Sequence, residues 1–139
     1  MANDCLFCKI AAGAIPAKIV FQDDQMVAFR DLHPAAPAHM LLIPRRHVDS
    51  LDAAEPSDQA LLGALLLAAA RLARDEGLAE GGYRVVTNTG ANAGQSVPHL
   101  HFHLIPRWSG DGKGFDWTPV PGDRGRIQAA ADRIRGALA

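Results

Sequence analysis

The sequence predicts an α+β fold: an antiparallel five-stranded sheet carrying one long helix, with shorter helices towards the two ends of the chain. Three observations lead there. Short β-branched and aromatic runs follow one another in the first third, separated by turn residues rather than by helices. A long stretch near the middle repeats leucine and alanine at helical spacing. Neither a fixed-period repeat nor a regular alternation of strand with helix is present, which argues against a solenoid or a doubly wound sheet.

Each element has a local cause. A short helix is expected over roughly Leu6 to Ala12, stopped by Gly13 and Pro16. Lys18-Ile19-Val20-Phe21 and Met26-Val27-Ala28-Phe29-Arg30 flank Gln22 to Gln25 as a hairpin, and Asp31 ends the second strand. After the breaker-rich stretch Leu32 to Pro37, a third strand runs through His39 to Ile43 until Pro44 stops it. The long helix starts near Pro56 or Ser57 and ends at about Glu76, with Gly77 as its stop. Its Leu61, Leu62, Leu65, Leu66, Ala69 and Leu72 form the stripe that lies on the sheet. A fourth strand covers Tyr83 to Asn88 and leads into the polar turn Thr89 to Ser96, after which comes a histidine-rich strand. Ser109 to Gly122 reads as a mobile loop flanked by Trp108 and containing Trp117, each able to reach substrate or partner or to anchor in the core. Asp123 caps a last helix with Ile127, Ala131, Ile134 and Leu138 on one face. Counted apart from the histidine-rich segment, the four clear strands fall one short of a five-stranded sheet, so an additional short strand is expected.

At 139 residues the chain suits a single domain, residues 1–139, with a core over about 5–108, the loop at 109–122 and the C-terminal helix at 123–139. A formal net charge of −1 gives no global attraction to nucleic acid or to an anionic membrane. The longest apolar stretch, Leu61 to Ala70, is too short to cross a bilayer, and the first residues lack the pattern of a signal peptide. A cytoplasmic protein is expected, with no nucleic-acid partner and no membrane partner. In a reducing compartment Cys5-x-x-Cys8 suggests metal binding or redox chemistry more than a structural disulfide, with two inert thiols as the plain alternative.

The strongest chemical signal is Pro98-His99-Leu100-His101-Phe102-His103-Leu104, where three of the six histidines occupy alternate positions. On an extended backbone these line one side while Leu100, Phe102 and Leu104 line the other. Alternate residues lie roughly 6.5–7 Å apart, so neighbouring imidazoles can handle different atoms of one phosphate ester. Imidazole keeps a neutral fraction at physiological pH and serves as nucleophile, proton carrier or metal ligand. Just ahead, Asn92-Ala93-Gly94-Gln95-Ser96 offers a hydroxyl, amides and turn N–H groups suited to phosphate oxygens. Pro98 removes a ladder donor, so it belongs at a strand start or edge.

These residues resemble the signature of the histidine triad (HIT) family. The likeness extends to Cys5-Leu6-Phe7-Cys8-Lys9-Ile10, Ile15-Pro16-Ala17, Ala28-Phe29-Arg30-Asp31 and His39 through His47, and so covers about residues 5 to 108. It is closest to the bacterial Hint-like branch with an N-terminal Cys-x-x-Cys. The resemblance implies a nucleotide-binding hydrolase that cleaves at the α-phosphorus of purine nucleoside phosphoramidates. His101 would be the nucleophile, giving a nucleotidyl-histidine that water then releases. It implies that His103 and His39 meet the phosphate region, that Ser96 steadies the oxygens or protonates the leaving amine, and that Gly94, Gln95 and Asn88 lie near the phosphate. Asp31 would hold the ribose hydroxyls and Leu32 would touch the base. Phe7, Ile10, Phe21 and Ile43 are further apolar candidates for that pocket, with core packing as their competing role. By the same likeness Cys5, Cys8, His47 and His99 would bind a structural zinc ion, and no metal would be needed at the phosphorus. The protein would be a homodimer whose sheets join edge to edge. Other readings of the residues are a dinucleoside polyphosphate hydrolase or nucleotidyltransferase, a metallohydrolase with the triad on a catalytic ion, and a nucleotide-binding regulatory module without turnover.

Overall fold

The computed structural model describes residues 4–112 and 119–138. Trp117 and the middle of the expected 109–122 loop lie outside the described residues. Among the described residues three α-helices and five strands follow in chain order: α1 (Leu6–Ala11), β1 (Ile19–Gln22), β2 (Met26–Arg30), β3 (Met40–Pro44), α2 (Gln59–Asp75), β4 (Tyr83–Val86), β5 (Phe102–Pro106) and α3 (Arg124–Leu138). The strands make one antiparallel sheet in the order β1-β2-β3-β5-β4.

The fifth strand is the histidine segment itself, and among the described residues the sheet needs no additional short strand. That expectation is therefore corrected. The strand β5 also starts later than the alternation suggests, at Phe102 rather than His99. The β1–β2 turn forms because the Asp23 carboxylate accepts the N–H groups of Gln25 and Met26 at 2.8 and 2.9 Å.

Strand periodicity divides the apolar residues between two sides. Met26, Ala28, Met40, Leu42, Phe102 and Leu104 pack under α2 with its buried Leu65, Ala69 and Ala73. Spacing of four between these helix residues, two of them alanine, lets the helix lie close over the sheet. Leu66 departs from the expected stripe and is exposed, because it falls outside that narrow buried face. Val27, Phe29, Leu41 and Ile43 point the other way and pack with Phe7 and Ile10 of α1.

The helix α2 ends in a Schellman turn. Gly77, at φ +74°, lets its own N–H reach the Arg74 carbonyl (3.0 Å) and that of Leu78 reach Ala73 (2.8 Å). At the start of α3 the Asp123 carboxylate accepts the Arg126 N–H at 2.8 Å, as expected of a cap. None of the α3 side chains is buried, so the Ile127, Ile134 and Leu138 face stays uncovered within one chain. No described helix is long and apolar enough to cross a membrane.

Candidate functional site

The chemistry gathers on the α1 side of the sheet, where β3 and β5 lie side by side with Leu41 opposite His103. A cavity of about 370 Å³ opens there, walled by Phe7, Phe29, Asp31, Ser96, His101 and His103 and rimmed by the exposed Leu32. The three triad rings do share this side: His101 and His103 have ring centroids 5.1 Å apart, and Phe7 packs edge-on against both His99 and His101. Leu100, Phe102 and Leu104 belong to the core under α2. The alternation persists although His99 and His101 precede the hydrogen-bonded ladder.

The hydrogen-bond partners set the imidazole tautomers. His101 donates from Nδ1–H to the His99 carbonyl at 2.7 Å, since a carbonyl only accepts. Its Nε2 is thereby the nitrogen with the free lone pair. Among the described residues no buried side-chain nitrogen or oxygen lacks a partner, so this unpaired Nε2 faces the open cavity. The Thr87 hydroxyl pins the same residue by donating to the His101 carbonyl at 2.9 Å.

Next to it runs a chain through His39. The Ala35 N–H donates to His39 Nδ1 at 2.9 Å, so neutral His39 carries its proton on Nε2. That Nε2–H lies 3.0 Å from His103 Nδ1 and 3.5 Å from the Asp31 carboxylate. His103 therefore accepts at Nδ1 and offers Nε2–H as a donor. Burial, reinforced by His101 and His39, pushes the His103 pKa down to about 4, and burial also lowers that of His39. Both rings stay neutral at pH 7, which is what this donor–acceptor order requires.

A second cluster lies behind the first. Cys5 at the N-cap of α1, Cys8, His47 and His99 bring their ligand atoms within 4.8 Å of one another. The Cys5 and Cys8 sulfurs are 3.3 and 3.5 Å from His99 Nδ1, and the Cys8 sulfur is 3.3 Å from His47 Nδ1. The outer nitrogens are both committed as donors: His99 Nε2–H to the Pro44 carbonyl at 2.8 Å, and His47 Nε2–H to Asp49 at 2.6 Å. Both Nδ1 atoms consequently present lone pairs to the sulfurs, the arrangement a metal ligand needs. These four residues could hold a metal ion. Burial and the adjacent Cys5 push the Cys8 thiol up to about 11, a cost that a bound cation would reverse by stabilising the thiolate.

Asp31, His39 and His103 also come within metal-binding distance of one another. Their tautomers suit hydrogen bonding instead. For His39 Nε2 to bind a cation, the ring's proton would have to move to Nδ1, where the Ala35 N–H already points. The His103 end of the triad is thus arranged as a proton-bearing chain and the His99 end as a ligand set.

Comparison with known proteins agrees with this geometry. The family model described as "HIT domain" matches residues 12–110. The chain belongs to the HIT family. It is 48% identical to Protein HitA of Neisseria gonorrhoeae over 74% of this chain and 95% of that protein. It is 42% identical to the purine nucleoside phosphoramidase of Escherichia coli strain K12, over 76% and 88% of the two chains. The crystal structure of a HIT family hydrolase from Legionella pneumophila superposes with a TM-score of 0.75 at 44% identity, covering 84% of this chain and all of that one (100%).

Within this HIT framework the other expected residues take distinct places. Gly94 adopts φ +94° at the end of the turn, a conformation that favours glycine. Gln95 is spent on structure: its amide donates to the Asp49 and Val97 carbonyls and accepts the Gly90 N–H. The N–H groups of Gly94 and Gln95 donate back to Ala91 and Gly90, so these two are not open to an anion as the turn composition suggested. Ser96 is the residue of this turn on the cavity wall. Asn88 lies two residues past β4, half-buried and apart from the residues walling the cavity. Phe7 and Ile10 do wall it, whereas Phe21 packs on the α2 side and Ile43 is sealed in the core.

One participant, Asp49, and one contact escaped sequence reasoning. Asp49 orients His47, and the spacing of two between them was the available signal. Phe7, expected only as a candidate for the base pocket, also braces the His101 ring from α1, a contact between residues 94 positions apart that no local pattern could reveal.

Proposed function

We propose that this protein is a purine nucleoside phosphoramidase that works through a nucleotidyl-His101 intermediate. The carrying observation is the His101 ring, with Nδ1–H held by the His99 carbonyl and Nε2 bare in a cavity that also holds a carboxylate. Asp31 accepts from the ribose hydroxyls while Leu32 and Phe29 flank the base. In the first step His101 Nε2 attacks the α-phosphorus, the P–N bond breaks, and the leaving amine takes the Ser96 hydroxyl proton, which solvent replaces. In the second step water attacks the phosphorus, the P–Nε2 bond breaks, the nucleoside monophosphate leaves and the water proton passes to solvent. Neutral His103 donates its Nε2–H to a phosphoryl oxygen as charge develops there.

An amine is favoured over a polyphosphate as leaving group by the second cavity, of about 660 Å³, which meets the first at Leu6, Ser96 and Val97. Among the described residues its wall carries Asp4, Asp49 and Asp52 and neither lysine nor arginine. Carboxylates beside a departing polyphosphate would oppose it. The Cys5, Cys8, His47 and His99 set holds zinc as a structural ion, since four protein ligands leave no position for substrate. The functional unit is a single-domain homodimer acting in the cytoplasm, its two sheets joined edge to edge; β4 is the last strand of the sheet among the described residues.

The test compares turnover of an adenosine phosphoramidate by wild type and His101→Ala, with mass spectrometry of acid-quenched wild type. Turnover with an AMP adduct, both lost in the variant, is expected. Equal turnover by the variant, or faster cleavage of diadenosine polyphosphates by wild type, overturns the reading.

A further inference from the structure

We propose that the Cys5–Cys8–His47–His99 centre positions the nucleophile: an ion held there fixes His99, and His99 fixes His101. The proposal rests on the reading of His101 as nucleophile and adds to it a dependence of the chemical step on the occupancy of the neighbouring centre.

One residue belongs to both sites. The His99 ring is fully buried, with Nδ1 among the sulfurs and Nε2–H on the Pro44 carbonyl, and its own carbonyl is the acceptor that holds His101 Nδ1–H. The stretch 99–101 lies ahead of β5, so the sheet ladder does not hold it. Its peptide groups are tied by a tight turn from His99 N–H to the Val97 carbonyl (2.8 Å), by Leu100 N–H to the Val48 carbonyl (2.6 Å) and by the Thr87 hydroxyl to the His101 carbonyl (2.9 Å), a bond that holds the His101 backbone but not its ring. Val48 adjoins His47, another member of the centre. The segments that carry the acceptor thus meet at one backbone hydrogen bond and at the centre, with Gln95 bridging to Asp49 alongside.

A second route runs through α1. Phe7 sits between Cys5 and Cys8 in sequence and packs edge-on against both histidine rings, at centroid distances of 5.9 Å from His99 and 5.0 Å from His101. Ligation of the two cysteines therefore also fixes the ring that limits rotation of the His101 imidazole. The sheet and its α2 core take no residue from the centre, whereas Cys5 is part of the smaller cluster under α1. Loss of the ion should loosen the nucleophile before it unfolds the chain. Asp31, Leu32 and Phe29, which contact the nucleoside in the proposed reading, lie on β2 and the loop after it. The effect should fall on kcat more than on KM.

The experiment uses zinc-loaded protein, chelator-stripped protein and the stripped protein reloaded with zinc sulfate. Nitrogen-15 shifts of the His101 imidazole report its tautomer at one fixed pH above 7, and adenosine phosphoramidate turnover gives kcat and KM. Expected is a single Nδ1–H form when loaded, a mixture when stripped, and a fall in kcat of about tenfold or more with KM within about twofold, all restored by zinc. Stripped protein that stays folded by circular dichroism, with the tautomer and kcat unchanged, overturns the proposal. Should stripping unfold the chain, His47→Gln removes one ligand and is read by the same two measurements, where an unchanged tautomer and kcat overturn it equally. The nitrogen shifts need no turnover, so a failure of the phosphoramidase reading is separable from a failure of the coupling.

Discussion

Replacing Asp31 by Asn keeps the side chain's size and removes its charge, which isolates its proposed role toward the ribose. One carboxylate oxygen accepts the His33 N–H at 2.8 Å, and the other lies 3.5 Å from His39 Nε2 with the side chain 17% exposed at the cavity. A carboxylate has about four acceptor positions, so this one retains capacity for two hydroxyls. Asn keeps one acceptor oxygen, which the His33 N–H claims, and turns an N–H group toward the sugar. Hydrogen bonds to a charged group contribute about 1.5–3 kcal/mol. Loss of one such bond predicts a rise in KM of roughly 10- to 150-fold, at about 1.4 kcal/mol per factor of ten. The assay is a four-cornered cycle: wild type and Asp31→Asn, each with an adenosine phosphoramidate and its 2′,3′-dideoxy analogue. Wild type should penalise the dideoxy substrate by the same factor, and the variant should scarcely distinguish the two. A variant that discriminates between them as wild type does would refute the assignment of Asp31 to the ribose.

Two further outcomes follow from burial. The depressed pKa values of His39 and His103 mean that the unfolded chain binds protons in a window where the native chain does not. Their contribution to stability is present above pH 6.5 and is lost as pH falls from there toward about 4, the native value for His103. The slope is at most about 1.4 kcal/mol per pH unit for each histidine, and urea unfolding at pH 7, 6 and 5 should show midpoints falling with acid. Equal midpoints at pH 7 and 5 would contradict it. Leu65→Ala opens a cavity at a fully buried position between α2 and the sheet and should cost about 3–5 kcal/mol. Denaturant unfolding measures this, and a loss below about 1 kcal/mol would show that the helix repacks.

Much of the site was legible because its residues are bound by short-range geometry. Three histidines at every second position share a side whether or not the ladder reaches them, and the Cys5-x-x-Cys8 spacing places both sulfurs at the first turn of a helix. The strands and α2 were readable for the same reason, since periodicity and terminal glycine or proline act over a few residues. Leu66 was misassigned because a leucine beside the stripe cannot be told from one within it until the helix is docked. The extra strand was unnecessary because the histidine segment had a place in the sheet already.

The sequence by itself determined the element types, the two-sided distribution of apolar residues and the residue types available for chemistry, all of which follow from local stereochemistry. Only the tertiary structure decided the tautomers. His101 has its lone pair on Nε2 because the His99 carbonyl claims the other nitrogen, and His39 has its proton on Nε2 because the Ala35 N–H claims Nδ1. The chain from His39 to His103 and the packing of Phe7 on His101 join residues 64 and 94 positions apart. Such contacts depend on how α1, β3 and β5 are brought together in three dimensions, and no pattern along the chain encodes them locally.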